Sequence, residues 1–191
     1  MECKAVVIGT SSGGMHALME VLKPLPKDFA APIVIVQHIS PHSSMFIVDY
    51  LKEQCSIEIK EADEKVKIRD GCAYIAPPNY HLLIEKDGSL SLTVGEKVCY
   101  ARPSIDVLFE TAADAYGEKL IGIILTGANS DGSKGLARIK EKGGLAIVQD
   151  PREAEADIMP QAAIAATTVD YILELNRIGI LLRKITGGNV R

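Results

Sequence analysis

The chain has 191 residues, of which 47% are hydrophobic, 5% aromatic and 24% charged, with a formal net charge of −4. That length supports one domain with a substantial core. The acidic balance gives no overall attraction to nucleic acid or anionic lipid, and with no Trp and only three Phe the chain lacks the material for base-stacking platforms.

Residues 4–9 (KAVVIG) form a short apolar run closed by glycine and read as a buried strand. Residues 14–22 repeat apolar positions at helical spacing, and Pro24 and Pro26 end that helix. Residues 32–37 read as a second buried strand. Residues 43–55 read as a helix, with Ser43 or Ser44 as cap and Phe46, Ile47, Tyr50 and Leu51 as its apolar stripe. Through the middle, segments 57–60, 73–76, 81–85 and 90–94 alternate as strands, and Asp87-Gly88 marks a hairpin turn between the last two. Residues 104–116 read as a helix capped by Ser104, with Asp106 in the first turn, where the dipole favours a carboxylate. Strand 120–126, helix 131–142, strand 145–149 and helices near 159–166 and 170–185 complete the chain, and only the final GGNVR looks loose.

Strands alternating with helices predict an α/β fold. It is a doubly wound, mostly parallel sheet with helices on both faces and an antiparallel hairpin insert. No apolar run approaches the roughly 20 residues of a membrane span, and the first strand begins too early to leave room for a signal peptide. Direct membrane insertion is therefore not expected. Cys3, Cys55, Cys72 and Cys99 are scattered without a CxxC, which fits reduced thiols and a cytoplasmic location. Apart from His38 and His42, no His or Cys pair has metal-ligand spacing, so no metal is expected.

Three motifs fall where a doubly wound sheet collects its chemistry, at the carboxyl ends of strands: GTSSGG (9–14), VQHISPH (36–42) and LTGANSDG (125–132). GTSSGG supports three readings. It is a phosphate-binding loop at a helix N-terminus, a turn presenting a nucleophilic serine, or a capped strand-to-helix turn. His38 is either a satisfied structural residue or a general base, the role for which imidazole is suited near neutral pH. Asp131 is either the cap of the following helix or the carboxylate that orients a catalytic histidine. Asp106, Asp150 and Asp157 compete for that role, and Asp150 also ends a strand. Together Ser11, His38 and Asp131 supply nucleophile, base and carboxylate in an order unlike that of chymotrypsin, subtilisin or the α/β-hydrolases. Lys134, Arg138 and Lys142 recur at four-residue spacing, either as a solvated face or as a docking strip for an acidic partner. His42 reads as a loop residue or substrate-rim contact, and His16 and His81 as structural or surface residues.

Taken together, these motifs resemble one family over residues 4–183: the catalytic domain of the bacterial chemotaxis protein-glutamate methylesterase. GTSSGG matches the family's serine motif in a register that puts Ser11 at the nucleophile and Ser12 where threonine is common. Gln37-His38 matches its QH pair, and Asp131 takes the aspartate of LTGMGxDG. Arg102-Pro103-Ser104-Ile105-Asp106-Val107-Leu108-Phe109 and AYIAPPNYH (73–81) match two further stretches. Ala128 and Asn129 depart from the family's common Met-Gly.

The resemblance implies a serine ester hydrolase that needs no cofactor. It would remove γ-methyl esters from glutamyl residues in the cytoplasmic domain of methyl-accepting chemotaxis receptors and deamidate receptor glutamines. It places the oxyanion under the backbone N–H groups of Ser12 and Ala128. Arg102 and the Lys134, Arg138 and Lys142 strip are separately expected to be substrate contacts. An esterase acting on another protein or a small ester, and a nucleotide- or phosphate-binding module, are the competing readings. The family usually carries a receiver domain before this one. The single-domain reading of 1–191 therefore carries the expectation of activity without phosphorylation.

Overall fold

The computed structural model describes residues 3–38 and 46–187. His42, Ser43 and Ser44 lie outside the described residues. Seven strands form one parallel sheet: β1 (Ala5–Thr10), β2 (Ile33–Gln37), β3 (Glu58–Glu61), β4 (Cys72–Ile75), β7 (Leu120–Ile124), β8 (Leu145–Gln149) and β9 (Tyr171–Leu173). Their spatial order is β3-β4-β2-β1-β7-β8-β9. The chain winds from β1 outward through β2, then returns to the other side of β1 at β7. The carboxyl ends of β1, β2 and β7 therefore border the switch point, the crevice where such sheets bind ligands. β5 (His81–Ile84) and β6 (Leu90–Thr93) form a separate antiparallel hairpin. Gly88 takes positive φ in its loop, and Asp87 accepts the Ser89 N–H there.

The strands are continuous apolar runs because both sheet faces are covered. Successive β1 residues point to opposite sides. Val6 and Ile8 pack with α1 (Gly14–Leu22), α2 (Phe46–Gln54) and α6 (Leu175–Thr186), whereas Ala5 and Val7 pack with α3 (Ile105–Tyr116), α4 (Ser133–Glu141) and α5 (Ile158–Ala166). All four are fully buried, and each large aliphatic side chain among them contributes about 1.5–3 kcal/mol. Two glycines set how closely α3 approaches. A Cβ on Gly9 would collide with Ile105, and a Cβ on Gly135 would collide with Phe109. The N-terminus of α3 can therefore lie directly over the end of β1 and against the start of α4.

Three local expectations are corrected. Residues 170–185 are not one helix: Tyr171–Leu173 adds an edge strand to β8 before α6 begins at Leu175. Three residues are too few to show a period in sequence, and hydrogen bonding to β8 decides their state. The buried stripe of α2 is Ile47, Val48 and Leu51, while Phe46 is 66% exposed and stacks on Tyr50. The helix begins α4 at Ser133 rather than Asp131, with Gly132 at its cap position and no side-chain cap bond. Among the described residues no helix is long and apolar enough to cross a membrane.

Candidate active site

Ser11 and His38 are brought together by strand register. Thr10 of β1 pairs with Gln37 of β2, so the next residue on each strand emerges side by side. The His38 N–H extends this ladder to the Thr10 carbonyl at 3.0 Å. Adjacent strands lie about 4.8 Å apart, which places the two side chains as neighbours. The buried Gln37 amide ties both loops, donating to the Ser11 carbonyl at 2.8 Å and to the His38 carbonyl at 2.9 Å. The Ser11 N–H is held by the Thr126 carbonyl at the end of β7.

Asp131 reaches the same place from β7, fully buried. It caps not its own helix but α3. Oδ2 accepts the Ile105 N–H at 2.7 Å, and Oδ1 accepts the Asp106 N–H at 3.1 Å and the Ser104 hydroxyl at 2.9 Å. His38 Nε2 lies 2.8 Å from Oδ2. Burial pushes the Asp131 carboxyl up, but the hydrogen bonds from His38, Ile105 and Asp106 outweigh it and hold the group below the usual range. The carboxylate is therefore charged and accepts, so Nε2 carries the hydrogen, and in the neutral ring the lone pair lies on Nδ1. Asp106 returns the favour to α4, accepting the Gly135 N–H at 2.7 Å. The two helix N-termini thus exchange carboxylates, each stabilised by the other helix's dipole. Asp106 differs from Asp131: burial pushes its carboxyl up to about 6, against the lowering effect of the Gly135 N–H.

The Cys99 thiol and the Asp106 and Asp131 carboxylates bring ligand atoms within 4.8 Å of one another. The four acceptor positions of Asp131 are nonetheless filled by His38, Ile105, Asp106 and Ser104. Asp150 does not join this site. It binds Arg152, two residues on, through both carboxylate oxygens, and these hydrogen bonds hold it at about 2. Asp157 accepts from Gln161 on α5.

Ser11, His38, Asn129, Lys97, Tyr100 and Arg102 line one cavity of about 300 Å³. A larger groove of about 860 Å³ along the β3 edge contains none of these side chains. Arg102 is fixed at the rim by donating to the Val94 and Gly95 carbonyls at 2.9 and 2.8 Å. Tyr100, 97% exposed, tips a two-residue turn in which it and Cys99 both take positive φ. Ala128 is exposed on the β7 exit loop, and no backbone acceptor among the described residues takes the Ser12 or Ala128 N–H. Of the basic strip, Arg138 pairs with Asp114 and Glu141, and Lys142 with Asp114, while Lys134 is exposed with no ion pair among the described residues. The phosphate-loop reading of GTSSGG meets a carboxylate: Glu155 lies within 2.8 Å of the position a Gly13 Cβ would take, against the N-terminus of α1. Exposed His16 lines a second cavity beside Ser11. Buried His81 is structural: Nδ1 accepts the Ser104 N–H at 3.1 Å, and Nε2 lies 2.8 Å from the Glu96 carbonyl.

Sequence reasoning left Gln37, Ser104 and Asn129 out of the site. A polar residue ending the otherwise apolar β2 was the available signal for Gln37. For Asn129 it was an Asx residue two positions before Asp131, where its Oδ1 accepts the Asp131 N–H at 3.0 Å.

A doubly wound sheet whose switch point gathers serine, histidine and a helix-capping aspartate defines a hydrolase of the serine-esterase class. The model of the CheB methylesterase family matches residues 6–182, and the chain belongs to that family. A Leptospira interrogans protein, named provisionally as a protein-glutamate methylesterase/protein-glutamine glutaminase, is 55% identical over 190 residues, covering 100% of this chain and 98% of that one. Protein-glutamate methylesterase FrzG of Myxococcus xanthus is 37% identical over 177 residues, 93% of this chain and 53% of that protein. The crystal structure of the Thermotoga maritima CheB methylesterase catalytic domain superposes with a TM-score of 0.92 at 34% identity, covering 97% of this chain and 100% of that domain.

Proposed function

We propose that this chain hydrolyses γ-methyl esters of glutamyl side chains in chemotaxis receptors, and deamidates receptor glutamines, with Ser11 as nucleophile. The observation that carries the reading is the His38–Asp131 contact of 2.8 Å, made by a carboxylate seated on the N-terminus of α3. It leaves the Nδ1 lone pair for the cavity that Ser11 lines. Ser11 Oγ attacks the ester carbonyl and its proton passes to Nδ1. The tetrahedral oxyanion is held by the Ser12 and Ala128 N–H groups. Collapse breaks the bond to methoxide, which leaves as methanol with the proton from Nδ1. Water, activated by the same nitrogen, then releases glutamate and frees Ser11. With a glutamine substrate the leaving group is ammonia.

Lys97 and Arg102 give the cavity two cations and no carboxylate among its lining residues, which suits an acidic receptor segment. Lys134 is the basic-strip residue most available to such a segment. The exposed pairs of Arg138 and Lys142 with Asp114 are screened by solvent and can exchange Asp114 for receptor carboxylates.

The test is methanol release from methylated receptor. Ser11→Ala is expected to lower it by about 10⁴–10⁶, the scale of a lost triad nucleophile, and Ser12→Ala to cost far less. If Ser12→Ala is the inactive variant, the assignment of the nucleophile is wrong. If the parent cleaves small methyl esters but not methylated receptor, the substrate assignment is wrong.

A further inference from the structure

Asn129 holds the one ring nitrogen that the reaction needs. Its carboxamide is oriented without ambiguity: Oδ1 accepts the Asp131 N–H at 3.0 Å, so Nδ2 is the end that faces His38. Nδ2 lies 3.3 Å from His38 Nδ1. With Nε2–H committed to Asp131, Nδ1 has a lone pair and the Asn129 amide donates to it. Among the described residues the Ser11 hydroxyl has no hydrogen-bond partner, although it lines the same cavity. At 3.3 Å this hydrogen bond from the amide is long and weak, and is readily exchanged.

We propose that Asn129 is a positioning residue acting through His38. It keeps Nδ1 unprotonated and the ring oriented in the resting site, and yields the lone pair to Ser11 when substrate enters. The proposal rests on the hydrolase reading above and adds a second function to the same side chain. Once Nδ1 has taken the serine proton it becomes a donor, and the Asn129 N–H can no longer pair with it. Two donors then face each other, which favours passing the proton on to the leaving group. The Asp131 side of the ring cannot do this, because its contact strengthens when the imidazole is charged. The charged and titratable groups around the ring among the described residues are Asp131 at Nε2 and, around the cavity, Lys97, Cys99, Tyr100 and Arg102.

The decisive variant is Asn129→Asp. An aspartate keeps the oxygen that accepts the Asp131 N–H, and so keeps the turn. It replaces the amide donor with an oxygen that accepts from Nδ1. The expected result is a His38 Nδ1 resonance in ¹⁵N NMR that moves from the unprotonated to the protonated position near neutral pH. A fall in kcat/KM of about 10- to 100-fold accompanies it, at or below the roughly 10²–10⁴-fold that a general base contributes, and the acidic limb of the pH–rate profile moves to higher pH. Asn129→Ala is the second variant. It is expected to leave Nδ1 unprotonated but to move its resonance toward that of a nitrogen without a hydrogen bond. A purely structural role predicts no change in Asn129→Ala, whereas the new carboxylate of Asn129→Asp acts on Nδ1 by its charge alone. If Asn129→Ala keeps the parent's Nδ1 resonance, Asn129 only closes the turn and the proposal fails. The NMR readout needs no substrate, so it decides the role of Asn129 even if the receptor methylesterase reading is wrong.

Discussion

The exit loops of β7 and β8 begin side by side on adjacent parallel strands, and each presents an aspartate within a few residues. They differ in where the partners of that aspartate come from. Asp150 is satisfied within its own loop, by the Arg152 N–H and guanidinium. Asp131 is satisfied from two other segments, by His38 after β2 and by Ser104, Ile105 and Asp106 at the start of α3. The β8 loop serves as a buttress instead. The Ala156 carbonyl accepts the Gly127 N–H at 2.9 Å, its N–H reaches Thr126 Oγ1 at 2.9 Å, and Gln149 accepts the Thr126 N–H at 2.8 Å. A carboxylate closed by its nearest neighbour has no capacity left to orient another side chain. One fixed by backbone donors on a different helix can orient a histidine with both positions fixed in advance.

The largest expected effect separates the two aspartates by activity. Asp131→Asn should lower methanol release by about 10³–10⁴, because the amide can no longer hold the Nε2–H tautomer and stabilise the imidazolium. Circular dichroism should show the fold retained. Asp150→Asn should leave the rate within about twofold. Equal losses in the two variants would erase the distinction drawn here.

Stability against pH sharpens the contrast inside the Asp131 cluster. Asp106 binds its proton more tightly folded than unfolded, so stability falls as pH rises from the ordinary carboxyl range through about 6. Asp106→Asn removes this titration and keeps the Oδ1 acceptor for Gly135. It should gain on the parent by about 1–2 kcal/mol between pH 4 and pH 7, measured by urea unfolding. Asp131, held below the usual range, has the opposite sign. The stability it contributes is present above the ordinary carboxyl pKa and lost as pH falls through its own. A parent–Asp131→Asn gap that widened on acidification would contradict the hydrogen bonding described.

The smallest expected effect concerns the cap. Ser104 Oγ donates to Asp131 and accepts the Val107 N–H of α3 at 3.4 Å. Ser104→Ala should cost about 1 kcal/mol in thermal unfolding, as a lost N-cap does, and lower the rate several-fold through a less fixed Asp131. A rate unchanged at a measurable loss of stability would show that the backbone donors alone fix the carboxylate.

The apolar runs of β1, β2, β7 and β8 could be read directly from the sequence because strands buried on both faces leave a continuous hydrophobic signal. Those runs place Ser11, His38 and the Asp131 loop at one edge of a sheet. The β5–β6 hairpin was legible from Asp87-Gly88, and the α3 cap from Ser104. The three-residue β9 was not legible, because its state is set by pairing with β8. The orientation of α2 was not legible either, because one residue of rotation exchanges Phe46 for Val48 at the core. Nor did local sequence separate Asp131 from Asp150, since both follow apolar strands, and only the family resemblance favoured Asp131. The choice was made by contacts far apart in the chain: α3 crossing the end of β1 where Gly9 admits Ile105, and the α3 N-terminus meeting a carboxylate 26 residues away at Ile105. Hydrogen bonds at such separation leave no local period or spacing in sequence, so the sequence alone determined which side chains could react, and tertiary packing decided which aspartate faces the histidine.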